Sequence, residues 1–525
     1  MRSPGASPLL ALRFARFRVL VLLQLVNAIA VWMHVVAGQW TMTEAGRSAT
    51  VVAAVPAAMS LPFFVLCLPV GALVGRVSPV RMMASATALS ALASATAARL
   101  SVTRPDAVLP MLLTVVAIGS GLVGLAIAWQ SQIPRLVDRP ALASAALVDG
   151  VTFNLARAVG PVVGGVGLSL VGGPTTFVVT AALFAGCAVA MAAAAPRTLA
   201  VASTGESLMR SIRGGLRFTR HSPWTRRLLL RLCLFGVPSA ALWALLPLVV
   251  HDRLGLDSNG FGLLFAAVGV GAVGGTVLLA PVRARLAVNH FGFAGSVAFG
   301  LMLAGLALSS DRVVVGALLV LGGAAWVGVQ TTWMTAAHQA LPDWVRPRII
   351  ALILLAFQGC QALGALAWGV LADLIGLSGA LGVAAVLMAI AASGFLRHGL
   401  LPSDGIAPDL AEVETPSLGE VELDRPVRIE VTYVPSYDKV PAFLEAVEAL
   451  RLSRQRLGAS RWELLVDLEH PGVFVETFPM NSWADHVASE TVRLTVPEHR
   501  LREHVWRLLD EEPRTRVLLD ALMTH

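Results

Sequence analysis

The sequence predicts an all-α membrane protein of twelve transmembrane helices in two six-helix bundles, followed by a small α+β domain. Three observations carry this reading. The 525 residues are 56% apolar and only 14% charged, with a mean hydropathy of +0.73, far from a soluble average. Apolar runs long enough to cross about 30 Å of hydrocarbon recur up to Arg397. Beyond Arg397 the composition turns polar and the hydrophobic period changes.

Twelve spans are expected, at roughly 18–41, 48–75, 79–100, 108–130, 143–171, 175–195, 228–250, 259–282, 290–309, 313–337, 348–372 and 378–396. The first is too long for a signal peptide and is followed by eleven more. The domains follow as an N-terminal bundle over 1–196, a basic linker over 197–227, a C-terminal bundle over 228–400, an acidic linker over 401–425 and a soluble domain over 426–525.

The net charge of +7 comes almost wholly from arginine, and Lys439 is the only lysine. With the N-terminus inside, twenty arginines fall on inner segments and five on outer loops. This bias places both termini in the cytoplasm of a multi-pass plasma or inner membrane protein, and an even number of spans agrees. The charge is therefore a topology signal and not a nucleic-acid footprint. Cys67, Cys187, Cys233 and Cys360 all lie within spans and lack metal-like spacing, so they read as packing residues. No G-x-x-x-x-G-K-[ST] motif is present, so ATP is not the implied energy source, and no metal or other cofactor is called for.

Within the inner linker, Ser207–Phe218 sets Leu208, Ile212 and Leu216 against Arg210, Arg213 and Arg217. That pattern suits either an amphipathic helix on the inner leaflet or a basic linker that only sets topology. In the soluble domain, strands are expected over 427–434, 461–468, 473–478 and 515–520, with helices over 437–457, 483–487 and 497–509. The order β-α-β-β-α-β is the ferredoxin-like plan.

The most unusual stretch is Asp149–Gly165, DGVTFNLARAVGPVVGG, a charge beside a proline and glycines within lipid depth. An arginine at mid-span costs about 3 kcal/mol on the insertion scale. Arg157 therefore needs a purpose: substrate, gating or coupling on one side, a structural bond to backbone carbonyls on the other. Gly160, Pro161, Gly164 and Gly165 supply close helix approach and a bend. Asp149 reads either as a titrating coupling group or as a boundary residue paired with Arg76 or Arg346. Asn27 and His34 share a helix face. With Gln39, Trp40, Trp129, Gln130, Asn154, Trp243, Gln330, Trp333, Gln358 and Gln361 they are candidates for a central cavity suited to a large, partly aromatic, amphipathic molecule. Taken singly, each reads equally as an interhelical hydrogen bond or an interfacial ring.

Twelve spans in two halves with a central basic loop resemble the major facilitator superfamily over roughly residues 12–400. After the second span, Gly71-Ala-Leu-Val-Gly75-Arg76 followed by Arg81 is similar to its loop signature, with Gly75 standing where the family has an aspartate. Ala156–Gly165 is similar to its antiporter signature. Ile133-Pro134-Arg135, Ala145-Ala146-Leu147, Asn154 with Arg157, Leu341–Arg348, and Gly359, Gly364, Gly369 and Asp373 resemble the exporters that include the enterobactin exporter and transmembrane secretion effectors. In the tail, Trp462, Glu476–His486 and Arg493–Thr495 resemble antibiotic-biosynthesis monooxygenases.

The resemblance implies alternating-access export of a siderophore, antibiotic or drug-like molecule by proton antiport, hence efflux and resistance. Its gating residues would be Gly71, Arg76, Arg81, Gly160, Pro161, Gly164, Gly165, Arg346 and Asp373, with Asp149. The chain is expected not to be an enzyme, and its partners are the lipid bilayer, a small molecule and protons, but no nucleic acid. Two other readings stand beside this one. One is a bifunctional protein whose tail oxidises a small aromatic molecule through Trp462, His470, Asn481, Trp483 and His486; the other is a non-transporting sensor whose tail regulates or dimerises it.

Overall fold

The computed structural model describes residues 10–73, 77–195, 208–279, 282, 285–397, 400, 406–411 and 425–519. The chain forms two compact units. One holds Met1–Gly205, Arg231–Thr332 and Leu354–Gly399; the other holds Glu206–Leu230, Trp333–Ile353 and Leu400–His525.

The first unit is helical and built for lipid. Its elements are α1 (Ala15–Glu44), α2 (Ala49–Leu73), α3 (Pro79–Thr103), α4 (Val108–Leu136) and α5 (Leu142–Ala193). After the linker helix α6 (Leu208–Arg220) come α7 (Pro223–Leu248), α8 (Ser258–Leu278), α9 (Val288–Leu308), α10 (Arg312–Ala340) and α11 (Arg346–Arg397). Among the described residues nine helices are long and apolar enough to cross a membrane. Two of them, α5 and α11, are 52 residues long and each contains two spans. The Ser/Thr/Ala-rich α3 supplies the twelfth by position. Leu170, Leu308, Val313 and Leu363 stand exposed on these helices, a surface that water would penalise and lipid tails cover.

The two long helices break at glycines in conformations closed to other residues. Gly172 lies at φ 76°, ψ 170° between spans five and six, and Gly376 at φ 80°, ψ 163° between spans eleven and twelve. Only glycine takes such angles without strain, so each reverses the chain in a tight corner. Inside the N-terminal helices, Phe17, Leu20, Met83, Trp129, Ile133 and Met191 pack as one buried cluster.

In the second unit the tail carries β1 (Val427–Tyr433), α12 (Val440–Leu457), β2 (Glu463–Val466), β3 (Phe474–Met480), α13 (Trp483–Thr491), α14 (Val496–Trp506) and β4 (Arg514–Leu519). The sheet is antiparallel throughout in the order β2-β3-β1-β4, with Val427 opposite Met480 and Tyr433 opposite Phe474. Alternate residues Val427, Ile429, Val431 and Tyr433 turn inward onto Phe443, Val447 and Leu450 of α12 and Val505 of α14.

This core contains a charge network. Arg454 pairs with Glu476 at 3.2 Å and with Glu490 at 3.3 Å, while Arg502 Nη2 holds Glu490 at 3.0 Å. Glu476 also accepts hydrogen bonds from Tyr433 Oη at 2.6 Å and Trp462 Nε1 at 2.8 Å. Burial alone would raise the Glu490 carboxyl, but the Arg502 and Arg454 guanidiniums outweigh it and hold it at about 2. Burial pushes His486 down to about 4, with Glu490 opposing the fall. Both groups have depressed folded pKa values, so the unfolded chain binds more protons in acid and stability falls as pH falls. The loss attributable to His486 runs from its ordinary value of 6.5 down to about 4. It is expected to reach on the order of 3 kcal/mol. Hydrogen exchange of the β1 amides in the full-length protein at pH 7 and pH 4.5 checks this, and His486→Gln should remove the part of the loss between these pH values.

Candidate substrate site

The site is built around span five. On α5, Phe153 and Arg157 are one turn apart and share a face. On α1, Trp32 and Gln39 are two turns apart and do the same. The Arg157 guanidinium lies 5.1 Å from the Phe153 ring, 5.6 Å from Trp32 and 5.7 Å from Trp243 of α7. The side chain is only 8% exposed, its Nε has no hydrogen-bond partner, and no carboxylate among the described residues pairs with it. The aromatic faces offer a cation partial stabilisation that is far weaker than an anion would give.

Around this cage the rings continue. Trp32 and Trp243 both meet Phe265 of α8, at 5.7 and 5.5 Å. Trp243 meets Trp326 of α10 edge-on at 5.2 Å, and Trp326 reaches Phe357 of α11 at 5.4 Å. Gln39 Nε2 donates to the Trp243 carbonyl at 2.8 Å, joining the first and seventh spans. Trp40 stacks on Phe261 at 5.6 Å, and Gln361 Nε2 donates to Ser239 Oγ at 3.2 Å. Trp32, Phe153, Phe265 and Trp326 were not among the residues singled out from the sequence. The four-residue spacing of Phe153 to Arg157 and the seven-residue spacing of Trp32 to Gln39 were the signals available.

Several expected cavity residues serve elsewhere. His34 turns its Nδ1 to Ser94 Oγ at 3.0 Å and its ring to Phe177 at 4.9 Å, inside the N-terminal helices. Asn27 is buried on the same helix with Oδ1 unpartnered. Asn154 Nδ2 bonds back to Gly150 O on its own helix at 2.9 Å. Trp129 stacks on Phe17, and with Gln130 it holds Asp149. Trp129 Nε1 donates to Oδ1 at 2.7 Å, and Gln130 Nε2 donates to Oδ2 at 3.1 Å. Among the described residues these two are the donors to Asp149. Arg346 instead pairs with Asp343 at 2.5 Å and bonds to Leu341 O, and Arg76 lies outside the described residues. Gln330 and Gln358 are half-buried, and Trp333 is buried in the second compact unit.

The glycines of span five sort by partner. A methyl added at Gly160 would stand 2.6 Å from Trp32 Cβ, and one at Gly164 3.0 Å from Met33 Cα. These two therefore seat α1. Gly165 faces α8, where a methyl would meet Ser258 O at 2.5 Å, and Gly262 is reciprocal, 2.6 Å from Pro161 O. Beside them α11 crosses α2 at Gly369, where a methyl would lie 2.8 Å from Thr50 Cα. One turn on, Asp373 caps α2 across the gap, accepting from Ala49 N at 2.8 Å, Thr50 N at 3.0 Å and Thr50 Oγ1 at 2.6 Å. Gly71 and Arg81 stand exposed on α2 and α3.

Twelve spans with a buried cation ringed by aromatics at the meeting of spans one, five and seven define a membrane transporter of the major facilitator type. The chain belongs to the transmembrane secretion effector family, whose model matches residues 6–523. No curated protein is similar enough in sequence to count as a match. Among solved structures, a bacterial homolog of the human lysosomal transporter Spinster, inward-facing and unoccupied, is similar at a TM-score of 0.61 and 14% identity, over 76% of this chain and 99% of that one. The nucleoside transporter NupG is similar at 0.58 and 12%, over 73% and 98%. The human organic anion transporter MFSD10 is similar at 0.53 and 16%, over 73% and 99%. These likenesses concern the fold.

Proposed function

We propose that the protein is a secondary active exporter of a small amphipathic molecule that carries an anionic group beside an aromatic one. It works by alternating access with proton antiport. The observation that carries this reading is Arg157, buried among Trp32, Phe153 and Trp243 with no carboxylate paired to it among the described residues. A cation kept at lipid depth at a cost of about 3 kcal/mol, with stacking surfaces on its flanks, is a ready seat for an aromatic anion. Siderophores, antibiotics and drug-like acids share that chemistry, and the structurally similar MFSD10 is described as an organic anion transporter. The arginine bias of the loops supports an inner-membrane setting with cytoplasmic termini, which makes the end carrying Asp373 and Ser258 the outer one. The tight α5–α8 and α2–α11 crossings at that end support a state closed outward. Asp149, whose hydrogen-bond donors among the described residues are the neutral Trp129 and Gln130, is the proposed proton-carrying acid. The tail is assigned a regulatory role and no reaction, because its Trp462, Trp483 and His486 are engaged in the core.

Transport in proteoliposomes tests the reading. An imposed pH gradient should drive movement of an aromatic carboxylate dye, and movement that ignores the gradient would remove antiport from it. The latch gives a separate prediction. Asp373→Asn leaves one oxygen for two backbone donors and removes the charge at a helix N-terminus, worth about 1 kcal/mol. The outward-closed population should fall about five-fold relative to the open one. Labelling of a cysteine at Ser48 by an impermeant maleimide should accelerate to match.

A further inference from the structure

The second compact unit is more than the tail domain. It includes the linker helix α6 between the two bundles and Trp333–Ile353, the turn that leads from α10 into α11. These three pieces meet at Trp344. Its indole Nε1 donates to Arg493 O of the tail at 3.2 Å. The Arg493 guanidinium lies 5.5 Å from the Trp344 ring and the Arg348 guanidinium 5.9 Å from it. Phe218 of α6 meets the ring edge-on at 5.7 Å. Beneath the ring, Ala411, Leu457 and Leu494 form a buried apolar seat. Arg493 is itself fixed, bonding to Leu457 O at 3.3 Å and to Asp485 at 3.0 Å. Helix α6 lies close on the other side, since a methyl at Gly215 would stand 3.2 Å from Arg348 Cβ. Trp224, fully buried, donates to Leu400 O and so pins the chain where it leaves the last span.

We infer that the tail domain is a clamp: it docks on Trp344 and Phe218, ties the inter-bundle linker to the entrance of span eleven, and thereby sets how readily the outer gate opens. The physical reason is covalent continuity. Helix α6 is the connection through which one bundle moves against the other, and span eleven carries the outer latch Asp373. A rigid α/β body holding the linker and the start of that span together resists their separation. An aromatic ring with two guanidiniums within 6 Å and an apolar seat is the kind of anchor that carries much of a contact's energy. Arg217 of α6 feels the charges of Arg348, Arg493 and Asp485, and it is held below its usual value by burial first, then by Arg493.

The gate half of this inference rests on the alternating-access reading, and the docking half does not. Both are read in the full-length protein in lipid nanodiscs. Trp344→Ala should raise hydrogen exchange of the α6 amides after Gly214 at least ten-fold while β1 (Val427–Tyr433) stays protected. It should also change the maleimide-labelling rate at S48C, in a chain with its four native cysteines replaced, at least five-fold. Trp344→Phe, which keeps an aromatic face, should restore most of both. Phe218→Ala, which leaves the tail's own core untouched, is the second variant, and should reproduce the effect if Trp344→Ala exposes β1. Unchanged α6 exchange in Phe218→Ala and Trp344→Ala overturns the docking. Faster α6 exchange with an unaltered labelling rate overturns the clamp and leaves the tail a passenger, whatever the substrate proves to be.

Discussion

Replacing Arg157 with alanine is expected to reduce transport of aromatic anions about 100-fold while the protein still inserts and folds. Truncating one partner of a buried charge pair costs about 2–5 kcal/mol when the other charge is left behind, and 100-fold corresponds to about 2.7 kcal/mol. The folded state loses far less. Among the described residues no carboxylate is paired with the arginine to be stranded, and its removal relieves the cost of holding a cation at lipid depth. Arg157→Lys separates charge from shape, because lysine keeps the charge but not the planar fork that lies within 6 Å of the Trp32 and Trp243 rings. It should recover part of the affinity for an aliphatic carboxylate and little of that for an aromatic one. Binding measured by tryptophan quenching in nanodiscs, alongside flux, distinguishes loss of the substrate seat from loss of motion. A structural arginine gives the opposite pattern: a lowered melting temperature with wild-type binding.

The fold was legible because its signals are long-range averages. Each span is an apolar run fixed by bilayer thickness, and the corner at Gly172-Gly173-Pro174 breaks its helix by backbone geometry that sequence exposes directly. The tail was legible for a related reason, since strand alternation at Val427–Tyr433 and the helical period of Val440–Leu457 are local. The site was legible only where spacing within one helix carried it. Arg157 stood out by its cost, but its cage comes from three helices, and which face of α1 meets α5 depends on where Gly160 and Gly164 let the backbones touch. Thus His34 and Trp32, two residues apart on α1, point to different neighbours, one to Ser94 and the other to Arg157. The same limit applies to Asp149. A carboxylate near an inner boundary suggests an arginine, yet among the described residues its donors are the indole and amide that follow each other on α4. Pairings across helices are set by rotation about each axis, and rotation is decided by packing.

The Gly165–Gly262 crossing is where a small change should matter most to motion. Gly262→Val is expected to force α5 and α8 apart, because the added atoms meet Pro161 O at 2.6 Å and Gly165 Cα at 3.1 Å. Both are backbone, so no rotamer change relieves the clash. Overpacking of this kind costs about 1–3 kcal/mol, and here the cost falls only on the state in which the two helices touch. At 3 kcal/mol the closed-to-open ratio at that end changes by more than 100-fold, enough to trap the transporter open on that side and stop turnover. A second contact of the same kind lies two turns along, where Gly269 would meet Ala158 Cα at 2.5 Å. Gly269→Val should therefore act in the same direction, and less than additively with Gly262→Val once the helices have parted. Gly186 on the same long helix has nothing within 4 Å of an added methyl. Gly186→Ala should accordingly leave labelling at S48C unchanged and raise helix stability by about 0.5–1 kcal/mol. If Gly262→Val left that labelling at the wild-type rate, the crossing would be packing alone, and the glycines of span five would lose their claim on gating while Arg157 kept its claim on substrate.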